Sequence, residues 1–315
     1  MTAERQRVAI IGAGAVGCYY GGRLAEAGHD VRFLMRRDYD AVRERGLFVT
    51  SPDGDFTLER PFVARTSEEI GEVDWVVCAL KATSIDDVPD LLQPCVGPQT
   101  RILVLMNGLG LEERFAGWCG GERIYGGLAF TCINRGEPGR VHHLRYGALT
   151  VGHYSDEPAR IDEAVALWAG AKVQVSPASS LLKARWEKLC WNIPFNGMTV
   201  MAGGVPTDRV LADDGLRQAA RDLMTEVVAM GNADLEAHDR HARIDGAAII
   251  ERMFALTETM GDYRPSTLID FLEGRPLEVD AMFGEPLRRA VALRVDARRL
   301  ALVHAVMRTF DRRSD

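Results

Sequence analysis

RVAIIGAGAVGCYYGGRLAEAGHDVRFLMRR, residues 7–37, decides the fold of this chain. Residues 7–11 form a short, nearly all-apolar run, the composition of a strand buried in a parallel sheet. The run leads directly into Gly12-Ala13-Gly14-Ala15-Val16-Gly17. A helical pattern follows through Leu24 to Ala27 and ends at Gly28, and Asp30 to Met35 reads as a second strand. Strand, glycine turn, helix and strand within about thirty residues make a dinucleotide-binding unit. The glycines differ in what they do. Gly12 makes the tight turn, Gly14 lets a pyrophosphate approach the backbone, and Gly17 lets the helix pack on the strand. The backbone from Gly12 to Gly17, with Ala13, Ala15 and Val16, is thus a phosphate cradle at a helix N-terminus.

The end of the second strand reports which dinucleotide is bound. An NAD site usually places Asp or Glu there to accept from the ribose hydroxyls. Here the strand ends Leu34-Met35-Arg36-Arg37, with no carboxylate before Asp38. Guanidiniums suit a 2′-phosphate, so Arg36 points to NADPH/NADP+. The other reading makes both arginines loop decoration and Asp38 the ribose ligand.

Further along, residues 40–46 suggest a short helix, and 47–65 short strands about the turn Pro52-Asp53-Gly54. Buried strands are expected over 75–80 and 101–106, ending at Lys81 and Asn107-Gly108, with a helix over 85–92 between them. Ligands of open α/β sheets bind at such carboxyl ends, which makes Lys81 and Asn107 candidate site residues. Residues 123–154 read as an antiparallel extension broken by Gly136-Glu137-Pro138-Gly139, with His142 and His143 on its surface. From Ser179 helical periodicity dominates, with segments near 180–202, 213–237, 245–260 and 281–312, the last breaking near Val295-Asp296. The predicted architecture is α/β, a Rossmann-type domain over 1–178 followed by an all-helical domain over 179–315. Arg308, Arg312 and Arg313 read as a solvated helix end.

Within the helical half, RWEKLCWNIPFN (185–196) stands out. Lys188, Asn192 and Asn196 recur every four residues and share one helix face, while Trp186, Leu189 and Ile193 form a packing stripe. Asparagine is a poor helix-interior residue, because its amide competes for backbone hydrogen bonds. Pro194 removes one helical hydrogen bond and is expected to distort the helix near Cys190. Only four of the 38 basic residues are lysines. Lysine in such a chain is chosen for what arginine cannot do, namely give up its proton. Residues 263–280 read as a polar loop punctuated by Pro265, Gly274 and Pro276, with Ser266 as a helix N-cap and Glu278 following.

Composition narrows the partners. A chain of 315 residues with 47% hydrophobic residues is long enough for two domains with substantial cores. The net charge of −7 argues against nucleic acid or an anionic membrane as partner. No apolar run approaches the roughly 20 residues that span a bilayer. The N-terminus lacks a leader pattern, and the six scattered cysteines form no metal or disulfide framework, so no metal is expected and a cytoplasmic setting is.

Taken together these motifs resemble the ketopantoate reductase (2-dehydropantoate 2-reductase) family, over essentially the whole chain. That family belongs to the β-hydroxyacid-dehydrogenase-like enzymes, with a 6-phosphogluconate-dehydrogenase-like fold. Gly12, Gly14 and Gly17 match its fingerprint, and Arg36 the basic residue that meets the 2′-phosphate. Lys81 matches the lysine of its LKA-like strand end, and Asn107 the asparagine near nicotinamide and substrate. Lys188 matches the catalytic lysine of its W-x-K-L-x-x-N motif, and Asn192 and Asn196 its substrate-binding asparagines. Ser266 matches the serine for the substrate carboxylate, and Glu278 an acidic residue that orients the lysine or binds substrate or cofactor. The turn over 203–207 departs from the family, where some members carry a further asparagine. The resemblance implies NADPH-dependent reduction of 2-dehydropantoate to pantoate, on the route to pantothenate and coenzyme A. The alternatives are reduction of another branched or hydroxylated 2-oxo acid, and a non-catalytic NADP(H) sensor. A homodimer through the helical half is compatible with the sequence.

Overall fold

The computed structural model describes residues 4–311. Of the basic C-terminal cluster, Arg308 falls in the last turn of the final helix, whereas Arg312 and Arg313 lie outside the described residues. Internal contacts divide the chain into two units. One holds the residues up to Met106 with Leu111–Leu181; the other holds Asn107–Gly110 with the residues from Leu182 onward.

The first unit is built on one sheet. Its strands are β1 (Arg7–Ile11), β2 (Asp30–Leu34), β3 (Leu47–Thr50), β4 (Phe56–Leu58), β5 (Phe62–Ala64), β6 (Val73–Cys78), β7 (Val96–Val104), β8 (Ile124–Arg135), β9 (Arg140–His153) and β10 (Val175–Pro177). The order is β4-β3-β9-β8-β7-β6-β1-β2-β5, with β10 also paired to β9. From β5 through β8 every pairing is parallel, and β9 then turns back antiparallel to β8. Val8, Ala9, Ile10 and Ile11 of β1 are fully buried, as a central parallel strand requires. Helices α1 (Ala15–Glu26), α2 (Tyr39–Arg45), α3 (Ser67–Ile70), α4 (Val88–Leu92), α5 (Leu111–Cys119) and α6 (Pro158–Ala166) supply the connections.

Local differences from the sequence reading have physical reasons. The helix expected over 85–92 is a 3-10 turn, Ala82–Asp87, followed by α4, because Ser84 departs from helical geometry and Pro89 opens a new helix. The short strands expected about the 52–54 turn form as β3 and β4, paired antiparallel, and β3 also pairs in parallel with β9, which the sequence did not suggest. That pairing corrects the placement of His143. It brings Ser51 beside His143, which is buried at 3% exposure, bonded to Ser51 Oγ at 2.8 Å, with its ring tilted 46° to that of Tyr19 at 4.4 Å.

The second unit contains α7 (Leu181–Met201), α8 (Thr207–Ala212), α9 (Asp214–Ala237), α10 (Gly246–Glu258), α11 (Ser266–Leu272), a π-turn at Asp280–Gly284, α12 (Glu285–Ala292) and α13 (Arg298–Phe310). Every residue of α7 from Leu189 to Val200 is buried, the signature of a central helix rather than an amphipathic one. Three polar bonds bolt it to its neighbours: Trp186 Nε1 to Asp234 of α9 at 2.8 Å, Trp191 Nε1 to Thr257 of α10 at 2.9 Å, and Thr267 N of α11 to Asn196 Oδ1 at 3.2 Å. Encased in this way, α7 runs unbroken through Pro194, and the expected disruption near Cys190 does not interrupt it. Asp213 and Asp245 cap α9 and α10 through bonds to Leu216 N and Ala248 N. The long terminal helix breaks at Leu293–Ala297, where Arg294 adopts φ 57°.

Candidate active site

In the first unit the glycine turn shows three distinct environments. Gly12 has φ 95°, and a Cβ there would stand 2.5 Å from Leu80 N and 2.6 Å from Ala79 C, so the backbone beyond β6 leaves no room for a side chain. A Cβ on Gly17 would collide with the Gly12 carbonyl. In front of Gly14 the space is open, with nothing within 4 Å of such an atom. Gly14 is also the N-cap of α1, offers no side-chain cap, and no acidic residue occupies the first turn. An uncapped helix start with open backbone before it has unsatisfied N–H groups and a positive dipole end. These residues fit a dinucleotide pyrophosphate.

Beyond β2, Arg36 and Arg37 are exposed and Asp38 is buried. Lys81 is exposed, three residues past the end of β6, where the sequence reading puts the strand's end at Lys81. Asn107 likewise stands three residues past β7. The strands stop early because their last paired residues are Cys78 and Val104.

The second unit assembles the lysine site. Lys188 Nζ donates to Asn107 Oδ1 at 2.8 Å. Asn107 is held by its neighbours: Gly108 has φ 113°, and Leu109 N donates to Ala281 O at 2.9 Å. A Cβ on Gly108 would lie 2.5 Å from Ala281 Cβ and 2.8 Å from Ala281 O, so only glycine lets the loop sit on the π-turn. Glu278 is buried two residues before that turn, with its carbonyl accepting from Met282 N at 3.1 Å. Single π-turns recur at functional sites because they re-aim the residues around them.

The two asparagines of α7 part company. Asn192 lies one turn beyond Lys188, and its amide has no hydrogen-bond partner among the described residues. Asn196 is 2% exposed and committed at both ends: Nδ2 donates to Asn192 O at 3.0 Å, and Oδ1 accepts from Thr267 N. It caps α11 from the neighbouring helix. Ser266 is therefore not an N-cap as its sequence suggested; it is the exposed first residue of α11, after Pro265. Seven residues of the segment read as a loop form this helix.

Residues that sequence reasoning missed are Gly108 as a seat and the π-turn below it. The Asn107-Gly108 dipeptide carried a turn signal, but Ala281 lies far along the chain and nothing local marks it. Among the described residues no cluster of His, Cys, Asp and Glu is arranged to hold a metal ion, and no helix is long and apolar enough to cross a membrane.

A dinucleotide cradle on a parallel sheet, joined in one chain to a helical unit with a lysine–asparagine pair, defines the class of two-part oxidoreductases. Family models described as ketopantoate reductase PanE/ApbA and its C-terminal domain match residues 8–156 and 180–311. The chain is 37% identical to a 2-dehydropantoate 2-reductase of Nostoc sp., over 99% of this chain and 97% of that one. The crystal structure of 2-dehydropantoate 2-reductase from Geobacter metallireducens superposes with TM-score 0.91 at 43% identity, covering 96% of this chain and 99% of the other. D-mandelate dehydrogenase with NADH and anilino(oxo)acetate shares the fold, with TM-score 0.86 at 20% identity over 96% and 97% of the two chains. This chain belongs to the ketopantoate reductase family.

Proposed function

We propose that this protein reduces 2-dehydropantoate to pantoate with NADPH, with Lys188 as the proton donor. The observation that carries the reading is the 2.8 Å bond from Lys188 Nζ to Asn107 Oδ1. An ammonium has three donors, and this bond fixes one of them, which orients the rest. Bound NADPH supplies the hydride. The cradle Gly12–Gly17 would hold its pyrophosphate and Arg36 its 2′-phosphate, with Lys81 and Asn107 as further cofactor-binding residues. Lys188 hydrogen-bonds the ketone oxygen and protonates it as negative charge develops there. Arginine would stabilise that charge but hold its proton, since its pKa lies above about 12. Asn192 and the Ser266 hydroxyl donate to the substrate's carboxylate and hydroxyl, and Asn196 serves them by capping α11. Six cysteines outside any disulfide suit a cytoplasmic setting, on the route to pantothenate and coenzyme A.

One observation favours a second reading, reduction of a different branched 2-oxo acid. The turn after α7 is Ala202-Gly203-Gly204-Val205, and Gly204 lies against Leu272, Phe271 and Leu268 in place of a further asparagine. NADPH oxidation with 2-dehydropantoate and a panel of 2-oxo acids decides between the two. Lys188→Ala is expected to lower kcat by about 100-fold or more with NADPH affinity unchanged. A wild-type rate in that variant would remove Lys188 from the chemistry. Glu278→Gln separates the roles left to Glu278: loss in kcat alone marks orientation of the lysine, and loss of NADPH affinity marks a cofactor contact.

A further inference from the structure

The first carboxylate after β2 does not stand open to a ribose. Asp38 is 5% exposed. Its Oδ2 accepts Nε–H of Arg135 at 3.1 Å and lies 2.8 Å from a terminal nitrogen of the same guanidinium. Its Oδ1 is sealed from solvent, accepts no hydrogen bond from the described residues, and has Arg37 Nε 3.7 Å away. Asp38 precedes α2 yet its side chain caps none of that helix's N–H groups. A buried carboxylate costs several kcal/mol unless paired. What Asp38 does in this position is hold an arginine.

Arg135 is well placed to use that support. It is the last residue of β8, opposite Val141 of β9. The turn beyond it is closed by Gly136 N to Arg140 O at 3.0 Å and Arg140 N to Glu137 O at 2.8 Å, and Phe48 N seats it on β3 through Gly139 O at 2.9 Å. Two of the five guanidinium N–H donors face Asp38. The other three have no partner among the described residues, and the side chain is 31% exposed.

The pair also lies beside the glycine turn. Cys18, in the first turns of α1, donates its thiol to Ala13 O at 3.4 Å. Burial pushes that thiol up to about 12, and it feels the charges of Arg135 and Asp38 in opposite senses. Asp38 itself follows directly on Arg36 and Arg37, both exposed. Arg36, Arg37 and Asp38 with Arg135 thus bring three guanidiniums to one carboxylate. A phosphate monoester carries about −2 at neutral pH.

We propose that Arg135 is a specificity residue for the 2′-phosphate of NADPH, reaching it from the β8–β9 hairpin, and that Asp38 is its positioning residue and not a ribose acceptor. The inference rests on the NADPH reading above. No motif around β2 points to Arg135, because the two are distant in the chain and only the fold brings them together.

The test is direct binding of NADPH, NADH and 2′,5′-ADP to the full chain by calorimetry, in wild type, Arg135→Leu, Arg135→Lys and Asp38→Asn. Arg135→Leu should weaken NADPH and 2′,5′-ADP by about 10- to 100-fold and leave NADH within about twofold, because a charge-assisted phosphate contact is lost and nothing else. Arg135→Lys should recover part of the loss, and Asp38→Asn should move in the same direction by a smaller factor. The NADPH deficit should shrink as salt is raised. Equal weakening of NADPH and NADH, or no change in either, overturns the role of Arg135. Tighter NADH binding in Arg135→Leu overturns the role of Asp38, since a released carboxylate would then be meeting the ribose. A wild type that binds NADPH and NADH equally overturns the NADPH reading itself, a result distinct from the others.

Discussion

Gly108→Ala is the sharpest probe of the lysine site, because it touches neither Lys188 nor substrate. The added Cβ would stand 2.5 Å from Ala281 Cβ, 2.8 Å from Ala281 O and 2.9 Å from Ala281 C. Carbon atoms rest at about 3.5–4.0 Å, so the loop falls short by about 1 Å. Two of the three opposing atoms are backbone and cannot rotate away. Alanine at φ 113° adds strain of about 1–3 kcal/mol, and overpacking about as much again. The cheapest relief is for the loop to lift, which carries Asn107 Oδ1 away from Lys188 Nζ. A misplacement of about 1 Å in a catalytic set costs about 100-fold in rate. Steady-state NADPH oxidation should therefore show kcat reduced by about that factor. Ala281→Gly in the same chain removes the Cβ–Cβ collision but not the carbonyl contact, so it should restore activity only in part. In a Lys188→Ala background Gly108→Ala should add little, because both act through one group. A Gly108→Ala enzyme with the wild-type kcat, or full additivity with Lys188→Ala, would refute the claim that this loop positions the lysine.

Two further outcomes follow from the described contacts. Asn196→Ala removes the cap on Thr267 N and should cost about 1–3 kcal/mol in urea denaturation, with KM for the oxo acid raised and NADPH affinity unchanged; an unmoved midpoint contradicts the capping role. Burial lowers the pKa of His29, His143 and His304. An imidazole held neutral in the fold takes up its proton more readily when unfolded, so stability is fully present above about pH 6.5 and is lost as pH falls toward the folded values. His29 accepts Gln6 N–H at Nδ1 and bonds Leu167 O through Nε2, which fixes one neutral tautomer. His29→Gln should flatten the decline in unfolding midpoint between about pH 7 and about pH 5, and an unchanged slope would exclude His29 as a source.

Much of the fold was legible because its signals are local. The glycine turn, the two buried strands beside it and the long helical segments each declare themselves within a short window. What escaped was set by contacts between distant residues. Pro194 is expected to distort the helix near Cys190, yet α7, buried from Leu189 to Val200, runs on through it without interruption. Asn192 and Asn196 look alike at helical spacing, and only the bond to Thr267 N tells the buried cap from the amide with no partner. His143 looked like a surface strand residue because the parallel approach of β3 leaves no mark near it. For the site itself, residue types were readable and their supports were not: Lys188 and Asn107 could be named, while the seat of Gly108 on Ala281 could not.

The membership of Asn107–Gly110 in the helical unit has a consequence for how the molecule is made. Synthesis runs from the N-terminus, and domains generally fold as units as they emerge. The sheet has all its strands once β10 has left the ribosome, and its glycine cradle needs nothing later in the chain. Asn107 emerges early too, but its partners Lys188 and Ala281 belong to the last stretch to be made. The loop, held between β7 and α5, has no seat until the π-turn has been made. The growing chain thus has its sheet complete before the Lys188–Asn107 pair can form.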